Sequence, residues 1–431
     1  MRKLCRATGI TAVTPAWAPM RTADTNSDLC YDVCVIGAGI SGMSLAYYAA
    51  RAGLRVLVLE KKTEPGGCLA SVPVSGEIGG PGWLELGAHT GYNSYLNLLE
   101  LIEDLGFLST ITSRQGLSFR ILNDGRLCSI TSRLNIWELL KSAPRFAYER
   151  RENHTVESFY SRVCGKENLQ NVLLPLFNAI ASQDTRDFPA DALLKSRRKR
   201  RGDVRRSFAI RGGFQSVVLA LADHPRIECA LESDVDSLCQ SDGGYLLRTT
   251  QGRVFRARWV AIAAPADIAA RMLLHDFPGL ARLVGRIEVR PIQSVGIVLL
   301  NQLTAIPRLA GIIMADGLEG PCFSAVSADA FFVQGKRSFT FHFRGDSYDG
   351  EAALQYACRA LGVSQKEIES VHVREQCMPA IRFGHAGLVR QIDEQISATR
   401  LLLLGNYLSG LSIEDCVSRA RREYERMAAS S

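Results

Sequence analysis

No stretch of the 431-residue chain reaches the roughly 18–20 consecutive apolar residues that a bilayer-crossing helix requires, and even 294–300 and 401–404 are soon broken by polar residues. A helical integral membrane protein is therefore excluded. Twelve cysteines occur, but they form no CxxC pair and no regular spacing, so neither a zinc site nor a disulfide framework is indicated. Reduced thiols in a cytoplasmic protein are expected instead. The chain also lacks a GxSxG elbow, an HExxH helix and a GxxxxGK loop, which removes the common hydrolase, zinc-peptidase and P-loop readings. It has no internal repeat and no low-complexity tract.

Hydrophobic residues make up 47% and charged residues 22%, a balance that fits a globular chain and argues against intrinsic disorder. The length exceeds the roughly 250–300 residues at which single cores stop growing, so two or more domains are expected. Residues 1–30 carry Arg2, Lys3 and Arg6 and then Thr, Pro, Asp and Asn in place of a continuous apolar core. They read as a flexible leader and poorly as a secretory signal.

The strongest local signal is DVCVIGAGISGMSLAYYAARAGLRVLVLE, ending at Glu60: an apolar strand, a glycine turn, an amphipathic helix and a second apolar strand. Gly37, Gly39 and Gly42 form a GxGxxG in the context that gives this motif meaning, after a strand and opening a helix. Gly37 permits the tight turn, Gly39 lets backbone approach a diphosphate, and Gly42 allows close helix–strand packing with the helix N-terminus facing the phosphates. Glu60 is placed to accept hydrogen bonds from ribose hydroxyls.

Residues 96–204 are mostly helical by apolar spacing, in LNLLELIEDLG, LNIWELLKSA and ENLQNVLLPLFNAIA. Strand signals return in IECALESDVDSL, GYLLRTT and ARWVAIAAPA, where Pro265 stops the last. Further strands are expected in IQSVGIVLL and SFTFHFR, a helix at 350–361, and a last strand RLLLLGN before a loop and a helix to about Met427.

Beyond the first βαβ unit come KTEPGGCLAS and WLELGAHTGYNSYLNLLELIEDLG. This order resembles the FAD-dependent amine oxidase superfamily, in which a GGR-type turn and an acidic-x-Gly element follow the dinucleotide fold. TVESFYSRVCGKENLQNVLLPLFNAIASQD, IRGGFQSVVLALAD and AIRFGHAGLVRQI…LLLLGNYLSGLSIEDCV narrow the likeness to protoporphyrinogen oxidases, and it spans about residues 31–425. The resemblance implies FAD and an α/β fold: a discontinuous Rossmann-like FAD-binding domain (31–95, 205–290 and 375–431), a helical region (96–204), and a mixed α+β substrate domain whose sheet and helix fall in 291–374.

Carried over position by position, the likeness implies that Gly37, Gly39, Ser41 and Gly42 hold the diphosphate and that Glu60 and Lys61 hold the adenosine side. Gly66 and Gly67 continue the turn. Val235, in the DVDSL strand, stands where the family's backbone contacts adenine, Ala264 ends the returning strand near the cofactor, and Gly405, Asn406, Ser412 and Ile413 follow the ribityl chain and pyrimidine ring. The arginine that follows the double glycine in the family is Cys68 here, which removes a cationic contact to the cofactor.

For substrate, Arg120 in FRILNDGRLCSI stands where protoporphyrinogen oxidases pair an arginine with a propionate, and a guanidinium grips a carboxylate through two parallel hydrogen bonds. Tyr92 and Tyr407 are expected to wall the pocket. His89 and His385 are the histidines within cofactor-associated blocks, and His89 is the candidate acid or base. The expected reaction removes hydride from a carbon beside nitrogen in a small-molecule substrate, a porphyrinogen-type tetrapyrrole, with oxygen as electron acceptor. Two alternatives stay open: an FAD-dependent amine oxidase or desaturase of a secondary metabolite or terpenoid, and a non-catalytic flavin- and tetrapyrrole-binding protein.

The formal charge of +7 is concentrated in KSRRKRRGDVRR at 195–206, and the rest of the chain is formally neutral. This run lacks interleaved aromatics, so nucleic acid is not expected as a partner. A surface loop is expected, either solvated or touching anionic headgroups on the inner face of a membrane.

Overall fold

The computed structural model describes residues 30–74, 82–114, 116–316, 320–330, 335–345 and 350–430. The leader expected at 1–30 lies outside the described residues except for Cys30. Two seven-stranded sheets organise the chain.

The first sheet is built on the long strand Val254–Ile262. Cys30–Ile36 pairs parallel with it along one side. On its other side, residues near Val254 pair antiparallel with Gly244–Thr249, and residues 260–262 pair parallel with Leu401–Leu403. Val56–Leu59 and Ile227–Ala230 extend the sheet beyond Cys30–Ile36, and Val235–Ser241 forms the opposite edge. The parallel strands Val56–Leu59 and Leu401–Leu403 read as continuous apolar runs because both faces are covered. Val33, Val35, Val56, Val58 and Leu402 point towards the helices Ile40–Arg51, Gln215–Ala222 and Ile413–Ala429. Cys34, Ile36, Leu57, Leu59, Leu401 and Leu403 point the other way, towards Ala266–Leu273, Pro278–Val284 and His385–Ile396.

The last helix is anchored at both levels. Ser412 and Asp415 form a reciprocal capping box at its start. The neighbouring Glu414 carboxylate accepts from the backbone N–H groups of Asn97 and Leu98, the opening donors of the helix Leu96–Asp104, which has no side-chain cap of its own. The C-terminal block is thereby tied to the segment that follows the glycine turns.

The second sheet runs Ile368–Pro379, Val289–Leu300, Lys336–Arg344, Cys322–Ser327, Gly311–Met314, Phe119–Asn123 and Arg126–Ser129. The hairpin 119–129 therefore belongs to this sheet, although it falls within the segment read as mainly helical. Strand alternation divides the faces. Val295, Ile297, Leu299, Phe339, Phe341 and Phe343 pack beneath the helix Gly350–Leu361. The other face looks towards the first domain: a side chain at Gly296 would collide with Leu84 and Leu86, so glycine lets that strand close onto the sheet. Among the described residues, no helix is long and apolar enough to cross a membrane.

Candidate active site

Three glycine turns meet at the junction of the two sheets. Gly37 has φ +105°, and a Cβ there would sit 3.1 Å from the Ala263 oxygen and 3.6 Å from the Ala264 nitrogen. At Gly42 a Cβ would lie 2.1 Å from the Gly37 oxygen, so the helix Ile40–Arg51 approaches its strand through bare backbone. Gly66 donates to the Ala38 carbonyl at 2.9 Å, and a Cβ on Gly39 would be 3.5 Å from Gly67 Cα. The Cys68 carbonyl in turn fills the space a Gly87 side chain would need, at 1.8 Å.

Glu60 is buried at the end of its strand and accepts from the backbone N–H groups of Ala38 at 2.8 Å and Lys62 at 2.9 Å. Its carboxylate therefore lies against the turn between the first two motif glycines. Lys61 is exposed, Ser41 is buried in the first helical turn, and Val235 is buried at the start of the strand Val235–Ser241. Gly405 has φ +131° and precedes Asn406, whose amide reaches Met378 Sδ at 3.6 Å. Ser412 and Ile413 open the last helix. The bare glycine surfaces, the twelve-residue helix N-terminus behind them and the acidic strand end fit a dinucleotide: close backbone approach for phosphates and acceptors for ribose.

Beyond Gly87 the backbone delivers His89 to the second sheet. Its Nε2 lies 2.7 Å from His342 Nε2, and His342 Nδ1 lies 3.0 Å from Ser294 Oγ. One proton must sit in the Nε2–Nε2 contact, because two lone pairs repel there and two N–H groups clash. Burial holds both imidazoles in their neutral form. It brings His342 down to about 4 and His89 well below the usual histidine range, with His342 and Arg114 adding to the His89 effect. Arg114 is itself buried and donates from Nη1 to the His89 carbonyl at 2.7 Å and from Nη2 to the Ser327 carbonyl at 3.2 Å. Beneath them Glu85 accepts from Ser71 Oγ at 2.7 Å and the Phe214 N–H at 2.8 Å, and burial raises its carboxyl to about 7.

Neither Arg120 nor Tyr407 reaches this place. Arg120 is the register partner of Ile312 and shares its side of the strand with Leu122, so it stands on the face covered by the helix Gly350–Leu361, opposite His342. The hairpin is present as expected, but a one-residue change of face separates this position from the face that carries His342. Tyr407 is buried in the core between the first sheet and the helix His385–Ile396, with its ring against Gly405. It is a packing residue. His385 Nε2 donates to the Tyr407 carbonyl at 2.7 Å and acts as a brace within the same block. Tyr92 is 41% exposed and stacks edge-on with Tyr95.

His342, Ser294 and Arg114 were not singled out in the sequence. The alternation SFTFHFR carried a usable signal: phenylalanines on one face put Ser338, Thr340 and His342 on the other.

Residues 40–306 match the family of flavin-containing amine oxidoreductases, more than half of the chain, so the protein belongs to that family and its cofactor is FAD. Among curated proteins it is 22% identical over 290 residues to the "Probable flavin-containing monoamine oxidase A" of Dictyostelium discoideum, covering 58% of this chain and 60% of that relative. Among solved structures it resembles the "Putative protoporphyrinogen oxidase" of Exiguobacterium sp. 255-15, with TM-score 0.74, 19% identity and coverage of 93% of this chain and 99% of the other. Cyclohexylamine oxidase of Brevibacterium oxydans IH-35A aligns with TM-score 0.68, 16% identity and coverage of 93% and 99%. At these identities the structural likeness is one of fold.

Proposed function

We propose that the protein is an FAD-dependent oxidase of a carbon that bears hydrogen beside a neutral N–H, and that its substrate is a porphyrinogen-type tetrapyrrole with oxygen as electron acceptor. The observation that carries this reading is the buried neutral His89–His342 pair behind Arg114. When bound, FAD supplies the hydride acceptor. The chain itself has to hold the substrate in register and to receive the proton that its nitrogen loses.

A neutral imidazole is ready to take that proton, whereas one already charged is not. A proton arriving at His89 Nδ1 is matched by release of the Nε2 proton to His342 Nε2, and the resulting charge rests on His342, whose Nδ1–H donates to Ser294 Oγ. The charge thus spreads away from the substrate. Arg114 makes the same surroundings unfavourable for an ammonium ion and acceptable for a neutral or carboxylate-bearing molecule. This favours a pyrrolic substrate over a protonated amine. The dinucleotide residues named above, from Gly37, Gly39, Ser41 and Gly42 to Glu60, Lys61, Gly66, Gly67, Val235, Ala264, Gly405, Asn406, Ser412 and Ile413, are the proposed FAD contacts, with Tyr92 at the substrate mouth.

An apolar macrocycle is best collected at a membrane, and two features support peripheral docking. Ile136, Trp137, Leu140, Phe146 and Tyr148 are all more than half exposed, within a segment that also carries Lys141, Arg145 and Arg150. Of the basic run, Lys195 and Arg197 turn inward to Asp415, and Arg201 pairs with Glu103 and Asp203, while Arg198, Lys199, Arg205 and Arg206 are exposed. The exposed half is available to anionic headgroups.

The test is anaerobic mixing of the holoenzyme with protoporphyrinogen or with a panel of primary and secondary amines while flavin absorbance is followed. Bleaching by the porphyrinogen is expected; bleaching by an amine alone would overturn the substrate assignment.

A further inference from the structure

Cys68 leaves the turn after Gly66–Gly67 without the cation that its family motif carries, yet a cation stands at that turn. Arg374 comes from the far domain, on the edge strand Ile368–Pro379, and donates from Nη2 to the Gly67 carbonyl at 2.6 Å, across 307 residues of sequence. Its place is set by register. Arg374 pairs with Ser294, and Ser294 pairs with His342, so the three side chains form one row across adjacent strands on the face that looks towards the first domain. At roughly 4.8 Å per strand, the row places Arg374 at Gly67 and His342 at His89, about 10 Å apart.

We infer that Arg374 replaces the missing motif arginine and holds FAD at its phosphates, the anionic group that the Gly37–Gly42 turn would carry. Gly67 is the residue that closes on Gly39, so a guanidinium fixed to Gly67 stands beside that turn. The Arg374 Nε is fully buried and has no protein partner, while its Nη1 meets Glu64 only at 3.7 Å. With Glu64 beyond hydrogen-bond range, the guanidinium charge is only partly offset and is available to a phosphate beside the turn. The neighbouring Lys62 and Lys61 keep the local charge positive; burial and then Arg374 lower the Lys62 ammonium, whereas burial raises the Cys68 thiol against the opposing pull of Arg374. The inference rests on the FAD assignment and is independent of the substrate.

The test is FAD release from the holoenzyme on dilution, read as recovered flavin fluorescence, for Arg374→Gln, Arg374→Lys and the double variant Cys68→Arg/Arg374→Gln. Melting temperature at saturating FAD is followed in parallel. A charge-assisted contact predicts an affinity loss of about ten- to hundred-fold in Arg374→Gln. Arg374→Lys should retain most of the affinity, and Cys68→Arg should restore it in the double variant. Unchanged affinity in Arg374→Gln would overturn the inference. So would a loss accompanied by an equal loss in Arg374→Lys and a lowered melting temperature, because Arg374 would then only brace the Gly67 turn. No substrate is present, so a failure of protoporphyrinogen to react leaves this result intact.

Discussion

His89 and His342 meet through their Nε2 atoms at 2.7 Å although 253 residues separate them, one on the loop after the Glu85–Gly87 turn and the other in the middle of the second sheet. The contact joins the segment that follows the glycine turns to the second sheet. Its chemical value lies in burial, which keeps the pair neutral until a proton is delivered to it.

That neutrality has a stability signature. The unfolded chain takes up a proton at each histidine near pH 6.5, whereas folded His342 does so only at about 4. The folded state therefore keeps its full advantage above pH 6.5 and loses it as pH falls from 6.5 towards 4, at up to about 1.4 kcal/mol per unit for each group. Urea unfolding of His342→Gln should show a shallower loss over that interval than the unsubstituted protein. An identical slope would show that His342 titrates in the fold as it does in the unfolded chain.

Glu85 has the opposite sign. Its folded carboxyl titrates near 7 against an ordinary value of 4.5, so its contribution is complete below 4.5 and is lost as pH rises through 7. Glu85→Gln should gain in stability relative to the unsubstituted protein between pH 5 and 8. A constant difference across that range would place the ionised carboxylate in the native state.

Gly42→Ala should displace the helix Ile40–Arg51, because its methyl would meet the Gly37 carbonyl at 2.1 Å and Val35 Cγ1 at 3.0 Å. Overpacking of this kind costs about 1–3 kcal/mol, and FAD should be lost on gel filtration. Purification with full flavin content would contradict the turn geometry.

Arg120→Ala should leave the Michaelis constant for a dicarboxylate porphyrinogen unchanged, since Arg120 stands on the helix-covered face of its strand. A several-fold rise would mean that substrate reaches that face.

The first domain was readable because backbone demands leave residue signatures. The GxGxxG, the acidic strand end at Glu60 and the apolar runs 56–59 and 401–404 each reflect a local requirement, and the expected strands and closing helix stand at Val56–Leu59, Val254–Ile262, Leu401–Leu403 and Ile413–Ala429. The site was readable only in part. His89 lay in a recognisable turn, but its partners are set by strand register, which a sequence states weakly. Arg120 shows this: it stands in the expected hairpin, on the face of the sheet opposite His342. Arg374 shows the converse, a cation supplied by a strand 307 residues away from the turn that lacks one.

The measurement closest to the central claim is the rate of flavin reduction in a single anaerobic turnover at saturating protoporphyrinogen, compared between the unsubstituted holoenzyme, His89→Gln and His342→Gln. General-base assistance contributes about 10²–10⁴-fold, so His89→Gln should slow reduction by at least two orders of magnitude, with a smaller loss in His342→Gln and bound FAD retained in both. Reduction at the unsubstituted rate in His89→Gln would contradict the account.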